Sequence, residues 1–349
     1  MKAIVKHRLF WPSVALLTLI AINTIARPQF ILITVRNGEL YGALIDILRN
    51  SAPLMLVALG MTIVIATRGI DLSVGAIMAV SGAVALTIID GSSEPGSLGT
   101  VLIALVVALV VALVLGVWNG FLVAVVGIQP IIATLVLMLA GRGVALLITE
   151  GFITTVNSTP YEFIATGYLV GLPFALLISI AAIAVVALIE RRTALGVLTE
   201  AVGINPEASR LAGVRARGIV FSAYVASGLL AGIAGIIYSS NIRAADANAA
   251  GLFIELYAIL AVVLGGTSLM GGKFTIAGTV IGVLTIQTLE ATILFLGVPS
   301  AQSPVFFALV VIVVVLVQSP RLHSWARTAM KAARTRGASD TGPRAKVAS

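Results

Sequence analysis

The residues of this chain that could do chemistry are few, and their spacing excludes the common catalytic sites. Gly272 and Lys273 in the string GGTSLMGGKF invite comparison with a phosphate-binding loop, which requires G-x-x-x-x-G-K followed by Ser or Thr. Thr267 stands where the first glycine is needed, and Phe274 follows the lysine. The chain has no cysteine, and its two histidines lie near opposite ends. The sequence therefore predicts no nucleotide site, no metal site and no catalytic residue.

Polar residues that fall in or near apolar runs are the other candidates, because burying such groups in a bilayer costs free energy. We expect some of them to line a water-filled path and others to bond neighbouring helices. For Asp71 the alternative is a local ion pair with Arg68, three residues earlier. Gln287 and Glu290 also fall in an apolar run. The residues predicted for a path are Asp71, Ser73, Asn119, Gln129, Arg142, Asp246 and Asn248.

The hydrophilic segment 193–214 carries the clearest local signal. Asn205 followed by Pro206 is a favourable N-cap and first-turn pair, and Glu207 adds negative charge to that first turn. Gly213 is a typical C-terminal stop. These residues predict a short capped helix over 206–212. It is either a solvated connecting helix or a rigid helix that docks into a partner.

Composition indicates which elements must position these residues. Of the 349 residues, 59% are apolar and 10% are charged, and the mean hydropathy is +1.13. A helix needs about 20 apolar residues to cross the roughly 30 Å hydrocarbon layer. The sequence therefore predicts an all-α integral membrane protein of about ten transmembrane helices. We place them at 9–26, 51–67, 72–89, 99–126, 131–149, 173–190, 218–241, 255–269, 273–297 and 304–318.

The basic residues predict the orientation of the chain. The net charge of +8 comes from lysines and arginines at the ends of apolar runs, which is typical of the positive-inside bias rather than of nucleic-acid binding. Both termini are then cytoplasmic. The predicted organisation is a short N-terminus at 1–8, a transmembrane domain at 9–318 with a cytoplasmic loop at 191–217, and a basic, disordered tail at 319–349.

Glycines mark two further features. The pattern Gly69-x-x-Leu72-x-x-Gly75 recurs as Gly266-x-x-Leu269-x-x-Gly272, each after an apolar run. Such interrupted segments in corresponding halves can mark a transport pathway, as half-helices or re-entrant turns. Small residues spaced four apart predict close helix packing, at Gly116/Gly120, Gly228/Gly232 and Gly278/Gly282.

Three strings in order, at 69–75, 200–213 and 261–272, resemble the permease subunits of ribose/xylose/arabinose-type ABC sugar importers. The resemblance covers about residues 10 to 320. Within that family, the strings 140–145 and 242–248 most resemble galactofuranose permeases. Two positions differ from the family pattern. Arg68 replaces the usual Gly, and Tyr257 replaces the Asp of Glu-Leu-Asp-Ala-Ile.

The resemblance implies a translocation subunit in a bacterial inner membrane that imports a monosaccharide and has no ATPase site of its own. ATP and Mg²⁺ would bind a partner ATPase, a periplasmic binding protein would deliver the sugar, and a second permease, identical or paralogous, would complete the path. No cofactor is expected in this chain. The residues that the resemblance assigns to coupling with the ATPase are Glu200, Gly203, Asn205, Ala208 and Gly213.

The sparse polar inventory favours a passage that binds sugar weakly. Three alternatives remain open. The first is an importer of the same architecture for branched amino acids or another small solute. The second is a secondary transporter driven by an ion gradient, with Asp71 and Glu290 as its proton or sodium sites. The third is a membrane-embedded enzyme.

Overall fold

A computed structural model of the protein describes residues 9–297 and four isolated positions, Val305, Ala308, Leu309 and Ile312. The predicted terminal segments 1–8 and 319–349 lie outside the described residues, as does the span 304–318 apart from those four positions. The chain divides after Thr292 into two units, and the account below concerns the first.

Helices dominate the described part of the chain. They are α1 (Phe10–Ala26), α2 (Ala43–Asn50), α3 (Ala52–Ala66), α4 (Val74–Asp90), α5 (Leu98–Gly120), α6 (Pro130–Ile148), α7 (Thr159–Thr166), α8 (Phe174–Arg192), α9 (Leu195–Ile204), α10 (Pro206–Leu211), α11 (Ala216–Ile242), α12 (Ile254–Leu264) and α13 (Ile276–Phe295). A 3₁₀ turn (Pro28–Ile31) follows α1, and a π-helical segment (Phe121–Val126) extends α5.

Short antiparallel ladders tie the connections together. β1 (Thr34–Arg36) pairs with β2 (Glu39–Tyr41), and β4 (Tyr168–Leu169) pairs with β5 (Leu172–Pro173). β3 (Thr154–Thr155) pairs with β6 (Ala244–Ala245), with Thr154 opposite Ala245, so it joins the segments that follow α6 and α11.

The length of each helix decides whether it can cross a bilayer alone. Five helices of the described chain are long and apolar enough, and α2 with α3, bent by 45°, forms a sixth if counted as one span. The five are Leu98–Val126, Pro130–Ile148, Phe174–Arg192, Ala216–Ile242 and Ile276–Phe295. The helical fold class is confirmed. The count of about ten spans and the cytoplasmic termini stay predictions.

Among the predicted spans, 255–269 differs most from the helix that the structure shows there, which is α12 (Ile254–Leu264). α12 has 11 residues, so it rises only about 16 Å and cannot cross a bilayer alone. Gly265 and Gly266 end it, because the φ of +87° at Gly266 lies in the left-handed region. The chain then reverses through 267–275 before α13 begins. The apolar run therefore contains a half-length helix and an irregular turn.

α11 is the central helix and packs against α3, α4 and α5. Glycines let helix backbones touch, both between α11 and α5 and between α13 and α12. A Cβ on Gly228 would lie 2.6 Å from the Gly116 Cα, and a Cβ on Gly282 would lie 2.0 Å from the Ala261 carbonyl oxygen. Real side chains do not tolerate such distances, so the predicted role of these small residues in close packing is confirmed.

Two helix breaks have the same cap. α3 and α12 both end in a left-handed residue, Arg68 with φ +66° and Gly266 with φ +87°. The next amide donates to the carbonyl five residues earlier in both breaks, the arrangement of a Schellman cap. These bonds run from Gly69 to Val64, 3.0 Å, and from Thr267 to Val262, 3.1 Å. The structural correspondence therefore pairs Arg68 with Gly266, one residue away from the pairing of Gly69 with Gly266 in the sequence pattern.

Candidate functional site

The segment between α8 and α11 contains the predicted capped helix. The Asn205 Oδ1 accepts a hydrogen bond from the Ala208 amide at 3.0 Å, so Asn205 is the N-cap of α10 and Pro206 its first residue. Gly213, with φ +86°, ends the helix in a third Schellman cap. The prediction of a short capped helix is confirmed, and α10 ends at Leu211, one residue earlier than expected.

All residues of α10 except Ser209 are exposed, including the apolar Leu211. Arg210 donates to Glu207 at 2.6 Å, and this hydrogen bond and positive charge hold the pKa of the Glu207 carboxyl below its usual range. Asn205 and Ala208 are also exposed, and Glu200 on α9 is half-buried. This segment therefore presents an exposed helix, capped at both ends, that a partner could contact.

Gly203, unlike the exposed residues of α10, is buried. A Cβ there would lie 1.8 Å from the Ala66 carbonyl oxygen and 2.5 Å from the Gly272 amide nitrogen. The Gly272 amide itself donates to the Ala66 carbonyl at 2.9 Å. The end of α9, the end of α3 and the turn before α13 therefore meet in backbone contact. We call this meeting of 66–68, 203–204 and 270–272 the three-segment joint.

Arg68 fastens the three-segment joint. Its Nε donates to the Met270 carbonyl at 3.1 Å, and its Nη2 donates to the Ile204 carbonyl. The left-handed backbone at Arg68 costs roughly 1–2 kcal/mol relative to glycine, and these two charge-assisted hydrogen bonds offset that cost. Arg68 makes these bonds to carbonyls, whereas the Asp71 carboxylate is bonded by Ser73 and Ser227, so the predicted local Arg68–Asp71 ion pair is absent from this part of the chain.

A buried polar network surrounds the break between α3 and α4. The Asp71 carboxylate accepts from the Ser73 hydroxyl at 2.6 Å, the Ser73 amide at 3.1 Å and the Ser227 hydroxyl of α11 at 2.8 Å. The Asn119 amide of α5 donates to the Ser73 hydroxyl at 2.7 Å. We call these four residues the Asp71 network. It brings three predicted path residues together and adds Ser227.

The other predicted path residues lie elsewhere. The Arg142 guanidinium donates to the carbonyls of Ala247, Asn248 and Ala250 at 2.7–3.3 Å, so it fastens the turn after β6. The Asp246 carboxylate caps the same turn by accepting from the Asn248 amide at 2.9 Å. Gln129 is exposed at the N-cap position of α6. Whether any of the seven contacts a solute stays a prediction.

A cavity of about 410 Å³ is lined by residues of α2, α3, α4, α7, α8, α11, α12 and α13 and of the segment 249–252. None of the seven predicted path residues lines it. Its polar lining comes from Arg49, Asn50, Tyr238, Asn241, Tyr257, Gln287 and Glu290. The sequence showed Gln287 and Glu290 as polar residues in an apolar run, and Tyr257 as a departure from the family pattern. Arg49, Asn50, Tyr238 and Asn241 stand at helix ends, where polar residues are common.

The chemistry of the described residues is limited to hydrogen bonding and packing. Within residues 9–297, no three acidic or histidine side chains are grouped as metal ligands. The arrangement can position a polar solute in the cavity, and it can transmit movement of α9 and α10 to both helix breaks through the three-segment joint.

Comparison with known proteins places these features in context. Residues 43–316 match the family described as "Branched-chain amino acid transport system / permease component". The galactofuranose transporter permease protein of Escherichia coli K12 is 47% identical over 91% of this chain and 93% of its own length. The fructose import permease protein of Bifidobacterium longum is 42% identical, covering 93% of this chain and 91% of its own.

A ribose import permease protein of Bacillus subtilis is 38% identical over 88% of this chain and 91% of its own length. No solved structure matches the chain. Three relatives of nearly full length are thus sugar permeases by name, although the family description refers to amino acids.

Proposed function

The chain belongs to the family of transport-system permease components, and we propose that it is the membrane-spanning subunit of an ABC importer that carries a monosaccharide into a bacterial cell. The observation that carries the proposal is the 47% identity to a galactofuranose permease over 91% of the chain. Two further relatives named for fructose and ribose support the wider class of monosaccharides. A furanose or another small neutral sugar is the proposed solute.

Transport needs partners that this chain lacks. A separate ATPase binds and hydrolyses ATP with Mg²⁺, and a periplasmic binding protein brings the sugar. A second permease, identical or paralogous, completes the passage across the inner membrane. In this arrangement both termini and the 191–217 segment face the cytoplasm. The permease itself catalyses no reaction.

The coupling route starts at α10. The exposed residues Asn205 and Ala208 form the surface that the ATPase contacts, while Gly203 acts one layer deeper. When the ATPase moves α10, α9 moves with it, and the backbone contacts at Gly203 shift the end of α3 and the turn before α13 together. Glu200 lies on α9, and Gly213 ends α10, so both belong to the pair of helices that moves with the ATPase. The cap at Gly213 keeps α10 rigid, because it satisfies the final carbonyls.

Uptake into proteoliposomes tests the proposal. The permease is co-purified with its partner ATPase and binding protein, and uptake of labelled D-galactose, D-fructose, D-ribose and L-leucine is followed with ATP present in the compartment that holds the ATPase. We expect one of the three sugars to accumulate and leucine to stay out. Accumulation of leucine alone would show that the transported solute is an amino acid, and the proposed sugar would be wrong.

The energy source is tested in the same vesicles. Uptake driven by ATP without an ion gradient is expected. Uptake that survives without ATP but collapses with the proton gradient would instead support an ion-coupled transporter, with Asp71 or Glu290 as the binding acid. An Asp71→Asn variant would then lose gradient-driven uptake.

A further inference from the structure

The cavity beside α13 is lined by seven polar residues, although the helices around it are mainly apolar. We propose that this cavity is a monosaccharide-binding station of the transport path, with Gln287 and Glu290 as its principal hydrogen-bonding groups. The inference rests on the proposed transport function and adds the site at which the solute pauses. About 410 Å³ falls within the usual range for small-molecule pockets, about 300–1,000 Å³.

Gln287 and Glu290 are the first reason for this assignment. They lie three residues apart on one face of α13, and the Gln287 Nε2 donates to the Glu290 carboxylate at 3.0 Å. Glu290 is exposed on a helix that is long and apolar enough to cross a bilayer. A carboxylate facing lipid would be costly, so this face of α13 must meet water, a polar solute or another chain. The cavity supplies the water-filled side.

The second reason is a cation in the lining. Arg49 lines the same cavity, its side chain is 28% exposed, and its Nη2 lies 3.6 Å from Asp46. A guanidinium carries five N–H donors and no acceptor, so the exposed part of this group can donate to a solute hydroxyl. The cavity therefore combines a cationic donor with the acceptors on α13.

The remaining lining favours a neutral polyol over a zwitterion. Asn50, Asn241 and Gln287 offer three amides that both donate and accept, which suits hydroxyl groups. Tyr238 and Tyr257 add phenol groups together with apolar ring faces. The two charges, on Arg49 and Glu290, already have Asp46 and Gln287 beside them. An amino acid would need both charges free, so a monosaccharide fits better.

The floor of the cavity is a backbone contact. Gly251 lines the cavity and packs on Gly75, since a Cβ on Gly75 would lie 2.4 Å from the Gly251 carbonyl oxygen. Asp71 and Ser73 precede Gly75 in the chain, so this contact joins one wall of the cavity to the segment that holds the Asp71 network.

Cysteine labelling tests the station directly, because the chain has no cysteine of its own. Ala249→Cys and Leu252→Cys, which line the cavity without being proposed hydrogen-bonding groups, are introduced singly into the complete transporter, and a charged, membrane-impermeant thiol reagent is applied from the side of the binding protein. We expect both to be labelled on the permease band. The transported sugar should slow this labelling, and L-leucine should not. Val114→Cys, exposed on α5, is the matched position that should stay unlabelled in lipid.

A kinetic variant separates binding from a change of shape. Glu290→Gln should raise the KM for sugar uptake about tenfold, the effect of one lost charge-assisted hydrogen bond, and leave the rate at saturating sugar nearly unchanged. Glu94→Gln, exposed outside the cavity, is the control. If the wild type transports a sugar, but that sugar does not slow the labelling and Glu290→Gln leaves KM unchanged, the cavity is not a sugar-binding site. The proposed transport function would still stand. If the wild type transports no sugar, the proposed function fails. If leucine alone slows labelling of the introduced cysteines, the cavity binds an amino acid and not a monosaccharide.

Discussion

Gly203 offers a single-residue test of the three-segment joint. In Gly203→Ala the new Cβ would lie 1.8 Å from the Ala66 carbonyl oxygen. Ordinary contact requires roughly 3.5 Å, so the end of α9 must withdraw from α3 by about 1.7 Å. Both atoms belong to backbone, and no flexible side chain can turn aside. The Gly272 amide, which donates to the same carbonyl at 2.9 Å, is pushed away as well.

The cost can be worked from these contacts. Overpacking of this kind costs about 1–3 kcal/mol, and one lost backbone hydrogen bond costs about 1 kcal/mol more. We therefore expect Gly203→Ala to lower the free energy of unfolding by about 2–4 kcal/mol. Gly143→Ala is the matched control, because Gly143 is helical and has nothing within 4 Å of its Cβ. That variant should gain roughly 0.5–1 kcal/mol through helix propensity.

Denaturant unfolding of the isolated permease in mixed micelles, followed by tryptophan fluorescence, measures both variants. ATP-driven uptake by the complete transporter is measured in parallel, and Gly203→Ala should lose it. A Gly203→Ala permease as stable as the wild type and fully active would refute the joint. A variant that is stable alone but no longer binds the ATPase would place Gly203 at the partner surface, which is where the sequence had assigned it.

The remaining predictions concern the same end of the molecule. Ala208→Trp should leave the unfolding free energy of the isolated permease within about 0.5 kcal/mol of wild type, because Ala208 is exposed, and should abolish capture of the ATPase in a pull-down. Asn205→Ala removes the N-cap and should destabilise α10 by about 1 kcal/mol, seen as faster amide hydrogen exchange in that helix alone. Arg68→Gly should be more stable than Arg68→Ala by about 1 kcal/mol in denaturant unfolding, since both lose the carbonyl contacts but only glycine relieves the left-handed backbone. Because Arg210 lowers the pKa of Glu207, this pair supports α10 above the unfolded pKa of Glu, about 4.3, and the support is lost as pH falls through the lower folded pKa. Protection of α10 amides should therefore fall in acid, and Glu207→Gln should show a smaller fall.

Local features were predictable because their causes are local. The Asn205 cap and the Gly213 stop act through backbone groups within one or two turns, so residue type and spacing were enough. The close packing at Gly116 and Gly228 was predictable for a similar reason, since small residues four apart lie on one helix face. Helix ends were less predictable, because an apolar run does not reveal a break such as the one after Leu264.

Long-range placement was not predictable from the chain alone. Ser227 joins the Asp71 network because α11 runs beside the break in α3–α4, and one serine in an apolar helix carries no sign of that partner. Asp71 and Arg142 both looked like path residues, yet Asp71 lies in a buried network and Arg142 fastens a turn. Which polar side chains share one cavity depends on helix angles, and these follow from packing across the whole bundle.

The properties of this chain divide by cause. Composition and long apolar runs were enough to predict a helical membrane protein, because those properties add up along the sequence. Only the tertiary structure decided that Gly203, Arg68 and Gly272 meet in one joint, and that Gln287 and Glu290 face a cavity with Arg49. Residues far apart in sequence are brought together by packing, and the physical reason is that each such contact depends on the position of every helix between them.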